Sequence, residues 1–168
     1  MQENVIIRKG KIEDLEQVLE LIRELAVYEK APNEVENTVE RMKVDGFGDH
    51  PVFEFFVAET PGHKIIGLAL YFYSYSTWKG KCVYLEDLVV TESYRRKGIG
   101  QLLMDKVINH ARAVDARRVA WQVLDWNEPA IKFYRNVLNA NLDGEWVNVK
   151  LTQEQIQNYP TGTTSPES

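Results

Sequence analysis

The sequence predicts an α/β domain on a mixed, mostly antiparallel sheet flanked by helices, and three observations carry that expectation. The elements run strand, helix, helix, three strands, helix, strand, helix, strand. Turn chemistry at Thr60-Pro61-Gly62-His63 and at Lys79-Gly80 joins the three central strands as an antiparallel meander. The strand–helix alternation from Tyr84 to Leu138 calls for a right-handed parallel crossover.

Val5-Ile6-Ile7 is a β-branched run and reads as the first strand. Ile12, Leu15, Val18, Leu19, Ile22, Leu25 and Ala26 then share one helical face, with Glu13, Glu16, Glu20 and Glu24 on the other. Glu34 to Val44 reads as a shorter helix stopped by Gly46 and Gly48. The meander strands are expected over Val52 to Ala58, Lys64 to Tyr75 and Lys81 to Val90, with Tyr71, Tyr73 and Tyr75 on one sheet face. A helix follows from Gly98 with Leu102, Leu103, Val107, Ile108 and Ala111 as its apolar stripe. A strand over Arg118 to Leu124, a helix over Glu128 to Leu138 with Pro129 in its first turn, and a strand over Trp146 to Leu151 complete the expectation. Residues 1–159 are expected to form a single domain, and residues 160–168, with little to bury, a flexible C-terminal tail.

At 168 residues, 44% hydrophobic and 27% charged, the composition is that of one globular domain. Its 20 Lys and Arg against 25 Asp and Glu leave a net charge of −5, which opposes a nucleic-acid partner. Cys82 is the single cysteine, so no internal disulfide forms and a cytoplasmic setting is expected. No run approaches the roughly 20 apolar residues of a membrane span, so no membrane partner is expected. His50, His63 and His110 are scattered without metal-site spacing, so no metal is expected either.

Ligands of open α/β sheets gather at the carboxyl ends of diverging strands, which directs attention to residues 86–100 and 124–135. There, Tyr94-Arg95-Arg96-Lys97-Gly98-Ile99-Gly100-Gln101 lies between an apolar strand and an amphipathic helix. Its glycines permit close backbone approach, and helix-start amides beside three cations suit a pyrophosphate. The loop lacks the Gly-Lys-Ser/Thr ending of a Walker loop, and Leu103 stands where a dinucleotide fingerprint needs Gly.

Arg95-Arg96-Lys97-Gly98-Ile99-Gly100, flanked by Tyr84-Leu85-Glu86-Asp87-Leu88-Val89-Val90 and by the run from Asp125 to Tyr134, resembles the GNAT superfamily of N-acetyltransferases, whose acetyl-CoA loop reads Arg/Gln-x-x-Gly-x-Gly/Ala. Glu24 to Glu29 and Asp45 to Gly48 are similar to its diamine (spermidine/spermine) branch. Ser76-Thr77-Trp78-Lys79-Gly80, with Ser76 where that branch has an acid, and Val123 to Asn127 look more like the thialysine branch. The resemblance implies a sheet splayed at the acetyl-CoA-binding strands, acetyl-CoA as co-substrate, a small-molecule amine as acceptor, and a homodimer. It implies that Leu88, Val89 and Val90 pair with the pantetheine arm, that Arg95, Arg96, Lys97, Gly98, Ile99, Gly100 and Gln101 cradle the pyrophosphate, and that Asn127, Glu128, Pro129, Ala130 and Phe133 contribute further cofactor contacts.

A primary amine has a pKa of about 10.4, so about one molecule in a thousand is nucleophilic at neutral pH. Glu86, at the end of the strand before the cradle, can attract the cation and accept its proton through a water. The resemblance implies that Tyr134 protonates the leaving thiolate. Asp87 falls on the opposite sheet face by alternation unless a bulge intervenes. Tyr28, Glu29, Asp87, Trp78 and Trp146 are further candidates for holding the amine, through carboxylates and cation–π contact. The expected activity is direct acetyl transfer in a ternary complex. Acetylation of protein lysines or N-termini is one alternative; a non-catalytic acyl-CoA sensor is another, disfavoured because Glu86 and Tyr134 are both present.

Overall fold

The computed structural model of the protein describes residues 4–160. Its sheet has five strands in the order β1-β2-β3-β4-β5: β1 (Ile6–Lys9), β2 (Glu54–Glu59), β3 (Ile65–Ser76), β4 (Gly80–Val90) and β5 (Val119–Ala120). The first four pair antiparallel, and β5 runs parallel to β4 through the expected crossover. The helices are α1 (Leu15–Tyr28), α2 (Val39–Phe47), α3 (Ile99–Ala113), α4 (Glu128–Asn136) and α5 (Gln153–Gln157). The chain divides into two units, one running to Leu124 and the other beginning at Asp125.

In the first unit, Leu15, Val18 and Leu19 of α1 join Met42 of α2, Phe55 and Val57 of β2, Leu68 and Leu70 of β3, and Val89 of β4 in one buried cluster. On α3, Ile99, Leu103, Met104, Val107 and Ala111 are buried at helical spacing. Gly67 lets that helix approach β3: a Cβ there would meet Leu103 Cδ1 and Ala58 Cβ at 3.0 Å. The three tyrosines of β3 grade outward along the strand, Tyr71 being fully buried, Tyr73 46% exposed and Tyr75 77% exposed.

Several boundaries differ from expectation for local reasons. The second helix starts at Val39 rather than Glu34, because Thr38 is its N-cap and accepts from the Arg41 amide at 3.2 Å. The strand expected over 118–124 contracts to β5, which reaches only Val83 and Tyr84 of β4. The strand expected over 146–151 does not form: the second unit describes no other strand to pair with it, and a lone strand leaves its backbone unsatisfied. Residues 161–168 of the expected tail lie outside the described residues.

Arg8 ties the start of the fold to the β2–β3 hairpin. Its guanidinium bonds both oxygens of Asp14, at 2.7 and 2.9 Å, and Glu59 at 2.6 Å. Asp14 and Glu59 are both buried. Burial pushes the Asp14 carboxyl up, but Arg8 and the Lys11 amide outweigh it and hold it below its usual value. Arg8, followed by His63, lowers Glu59. Replacing Arg8 by Met removes the cation shared by two buried carboxylates, leaving Asp14 the Lys11 amide and Glu59 His63, and should cost about 2 kcal/mol, between the limits for exposed and buried pairs. Because both folded-state pKa values lie below the unfolded ones, this stabilisation is present above pH 3.8–4.5 and is lost as pH falls. Urea titrations of both proteins between pH 7 and 3 check this; equal midpoints at pH 7 would show that the network contributes nothing.

Candidate active site

β3 and β4 pair in step from Ser76–Gly80 to Tyr71–Leu85, then resume at Leu70–Asp87, leaving Glu86 without a β3 partner. This is a β-bulge, and it answers the alternation problem. Leu70 and Phe72 share a face of β3, and their β4 partners are Asp87 and Tyr84. Asp87 therefore joins the α1 side of the sheet, where Leu70 packs with α1, and Glu86 follows two residues after Tyr84 on the same side. The two acids are neighbours rather than opposites.

The third acid comes from α1. The helix ends at Tyr28, Glu29 caps it, and Lys30 turns the chain at φ 63° while the Ala31 amide bonds Ala26 O at 2.8 Å. Burial pushes the Glu29 carboxyl up. Burial, then the charges of Glu86 and Glu29, push Asp87 up to about 6. Tyr84, whose ring lies 5.1 Å from that of Phe72, is raised by burial and by Glu86. Tyr84 was not among the residues selected from sequence, although its place two residues before Glu86 could have marked it.

Beyond the bulge β4 changes neighbours. β5 pairs only with Val83 and Tyr84, so among the described residues Leu85 to Val90 carries no strand on that side. Leu88, Val89 and Val90 remain paired to Ala69, Leu68 and Gly67 on the other. This one-sided ladder can accept an extended arm as an added strand.

The loop after β4 leads into α3 through Gly98, which caps the helix at φ 80°. A Cβ there would meet nothing within 4 Å. The first intrahelical bond runs from Leu102 N–H to Gly98 O at 3.1 Å, so the amides of Ile99, Gly100 and Gln101 have no intrahelical acceptor. Arg96 is exposed at φ 60°, and Lys97 Nζ lies 5.0 Å from the Tyr94 ring. Open space, unclaimed helix-start amides and adjacent cations fit a pyrophosphate. Arg95 is turned elsewhere: its Nε donates to Val90 O at 2.9 Å, and its guanidinium lies 5.0 Å over the Tyr28 ring.

In the second unit, Asn127 Oδ1 caps α4 by accepting from the Ala130 amide at 3.4 Å, with Glu128 and Pro129 in the first turn. Phe133 and Tyr134 are side by side on α4, ring centroids 5.6 Å apart. The chain leaves the helix through Asn139 at φ 54°. Trp146 lies in the irregular segment before α5. Trp78 is at the β3–β4 turn and 84% exposed. There Ser76 Oγ accepts from the Trp78 and Lys79 amides at 3.3 and 3.1 Å. Gly80 and Glu86 are about 20 Å apart along β4, so the first unit does not bring Trp78 to the carboxylates. Among the described residues no group of His, Cys, Asp and Glu has metal-binding geometry, and no helix is long and apolar enough to cross a membrane.

The acetyltransferase (GNAT) family matches residues 15–139. The thialysine N-epsilon-acetyltransferase of Bos taurus is 41% identical over 138 residues, covering 78% of this chain and 81% of the relative. The spermidine/spermine N(1)-acetyltransferase-like protein 1 of Homo sapiens is 32% identical over 158 residues, 89% of this chain and 23% of the relative. A solved integron cassette protein from V. cholerae shares the fold at a TM-score of 0.75 and 22% identity, covering 93% and 97% of the two chains. With the bulged strand, the one-sided ladder and the glycine-capped helix start in place, the chain belongs to the GNAT acetyltransferase family and is an acetyl-CoA-dependent N-acetyltransferase.

Proposed function

We propose that the protein transfers acetyl directly from acetyl-CoA to the primary amine of a small cationic substrate while both are bound, residues 1–159 acting as one domain. The observation that carries the proposal is the convergence of Glu29, Glu86 and Asp87 on the strand that leads to the open cradle at Gly98. Three carboxyls hold an ammonium, and Tyr28 and Trp146 add aromatic faces, whereas Trp78, at the far turn of β4, takes no part in holding it. Glu86, through a water, accepts the proton that frees the amine lone pair. The C–N bond forms as the C–S bond breaks, and the Tyr134 hydroxyl returns a proton to the CoA thiolate. The Leu88 amide polarises the thioester carbonyl, Leu88 to Val90 pair with the pantetheine arm, and Arg96 to Gln101 hold the pyrophosphate. Arg95 contributes its backbone to this loop, while Asn127, Glu128, Pro129, Ala130 and Phe133 complete the cofactor contacts.

Among amines, a thialysine-like amino acid is favoured over a polyamine. The turn Ser76-Thr77-Trp78-Lys79-Gly80 supports this, because it resembles the thialysine branch and has Ser76 where the diamine branch has an acid. The relative named for thialysine is also the more similar of the two. We further propose a cytoplasmic homodimer; the family resemblance supports the dimer, and a buried, unpaired Cys82 fits a reducing compartment.

Release of CoA measured over thialysine, lysine, spermidine, putrescine and a histone-tail peptide tests the proposal, with thialysine expected to give the highest kcat/KM. A preference for the peptide would make this a protein acetyltransferase, and no turnover on any amine would make it a sensor. Tyr134→Phe should lower kcat about a hundredfold, the low end for general acid catalysis, with acetyl-CoA affinity unchanged; unaltered turnover would remove Tyr134 from the chemistry. If ionised Asp87 holds the amine, kcat/KM falls as pH drops through about 6, and Glu29→Gln moves that limb to lower pH by removing a like charge. A limb that stays in place would detach Asp87 from it. The raised pKa also means that the Asp87 charge opposes folding above it, so Asp87→Asn should gain about 2 kcal/mol of stability at pH 7.5 while losing activity. Denaturant titration at pH 7.5 and pH 5 reads this: the gain should shrink at the lower pH.

A further inference from the structure

Glu24, a polar-face residue of α1, holds the start of the cofactor loop. Its Oε2 accepts from Thr91 Oγ1 at 2.8 Å, and its Oε1 accepts from the Glu92 amide at 2.9 Å. The same Oε1 lies 3.7 Å from the Arg95 guanidinium. Arg95 in turn donates to Val90 O at 2.9 Å and stacks over Tyr28 at 5.0 Å. Tyr28 is four residues after Glu24 and so on the same face of α1, one residue before Glu29. One acid and one guanidinium thus connect the end of β4, the loop leading to the cradle, and the amine-facing end of α1.

We propose that Glu24 and Arg95 are a positioning pair that couples the acetyl-CoA cradle to the amine-binding end of α1, with Arg95 acting as a brace rather than as a phosphate ligand. The planar guanidinium is shaped for three partners at once: one edge takes the Val90 carbonyl, another faces Glu24, and its face covers the Tyr28 ring. Ordering the loop around acetyl-CoA then also fixes Tyr28 and Glu29, and an amine held by α1 steadies the loop in return. The assignment of the two sites rests on the acetyltransferase reading; the brace itself does not.

Glu24→Gln separates brace from ligand, because the amide keeps the shape of the carboxylate, its oxygen still accepting from the Glu92 amide and its NH2 donating to Thr91 Oγ1, but loses its charge. If Arg95 is a brace, Glu24→Gln weakens acetyl-CoA binding in calorimetry without amine about fivefold, the low end of the usual coupling range. It also raises the KM for thialysine at saturating acetyl-CoA by a similar factor, and the acid limb of kcat/KM stays in place. Arg95→Lys behaves alike, and the double variant is no worse than either single one. Thr91→Val, which removes one bond to Glu24, gives the same pattern at smaller size. In the free protein, amide hydrogen exchange of residues 25–31 and 91–97 speeds up in all of these variants. If Glu24→Gln leaves acetyl-CoA affinity unchanged or tightens it while Arg95→Lys weakens it, Arg95 is a phosphate ligand and the proposal falls. It falls equally if the two single effects add or if exchange changes in only one of the two segments. Exchange and calorimetry need no turnover, so absence of amine acetylation would sink the activity proposal and leave the brace to be judged separately.

Discussion

The bulge at Glu86 is the constraint on which the candidate site depends. It is pinned from both sides by burial: Leu85 before it and Val89 after it are almost wholly inside, at 2% and 4% exposure. Sliding β4 by one residue to remove the bulge would turn one of these out and bring a carboxylate into the core. The core therefore enforces a distortion that local propensity does not ask for. Three properties follow from it. Glu86 and Asp87 share the α1 side, the partnership with β5 ends at Tyr84, and the following segment offers a ladder paired on one side only. The strand that brings the acids together is also the one that opens the sheet.

Much of this fold could be read from periodicity. The apolar stripes of α1 and α3 and the meander with its turns repeat at 3.6 and 2 residues, and burial enforces both periods. What periodicity cannot see is register. Whether Asp87 faces toward Glu86 or away depends on where β3 stops matching β4, and that is decided by Leu70 and Tyr71, some 16 residues earlier. Helix starts were similarly hidden: Glu34 looks as helical as Glu40, and the Thr38 cap settles the matter. Arg95 shows the limit for sites. Its position in a cationic, glycine-bearing loop suggests phosphate, whereas its side chain turns to Val90 and Tyr28. Glu24 looks in sequence like one more solvated helix acid, because the partners that give it a role lie 67 and 68 residues away.

The net charge of −5 hides two opposite uses of carboxylates. Asp14 and Glu59 surround Arg8, and both titrate below their ordinary values. Glu86 and Glu29 both act on Asp87 as like charges, and with burial they push it up to about 6. The first group stabilises the fold; the second works against it, with like charges drawn together on a partly buried strand and the end of a helix whose dipole is already negative there. Such a group keeps its geometry because the Leu70 and Val89 cluster holds β4 in place.

On the proposed mechanism, the missing positive charge arrives with the substrate. An ammonium beside Asp87 does for this group what Arg8 does for the other: it lowers the carboxyl pKa and expels a proton if Asp87 was protonated. Transfer then reverses the arrangement. The amide product is neutral, the attraction disappears, and the repulsion among the three acids returns. A site built from mutually repelling carboxylates thus binds the charged amine more strongly than its acetylated product, which favours product departure. The same instability that weakens the fold at β4 supplies that difference in affinity.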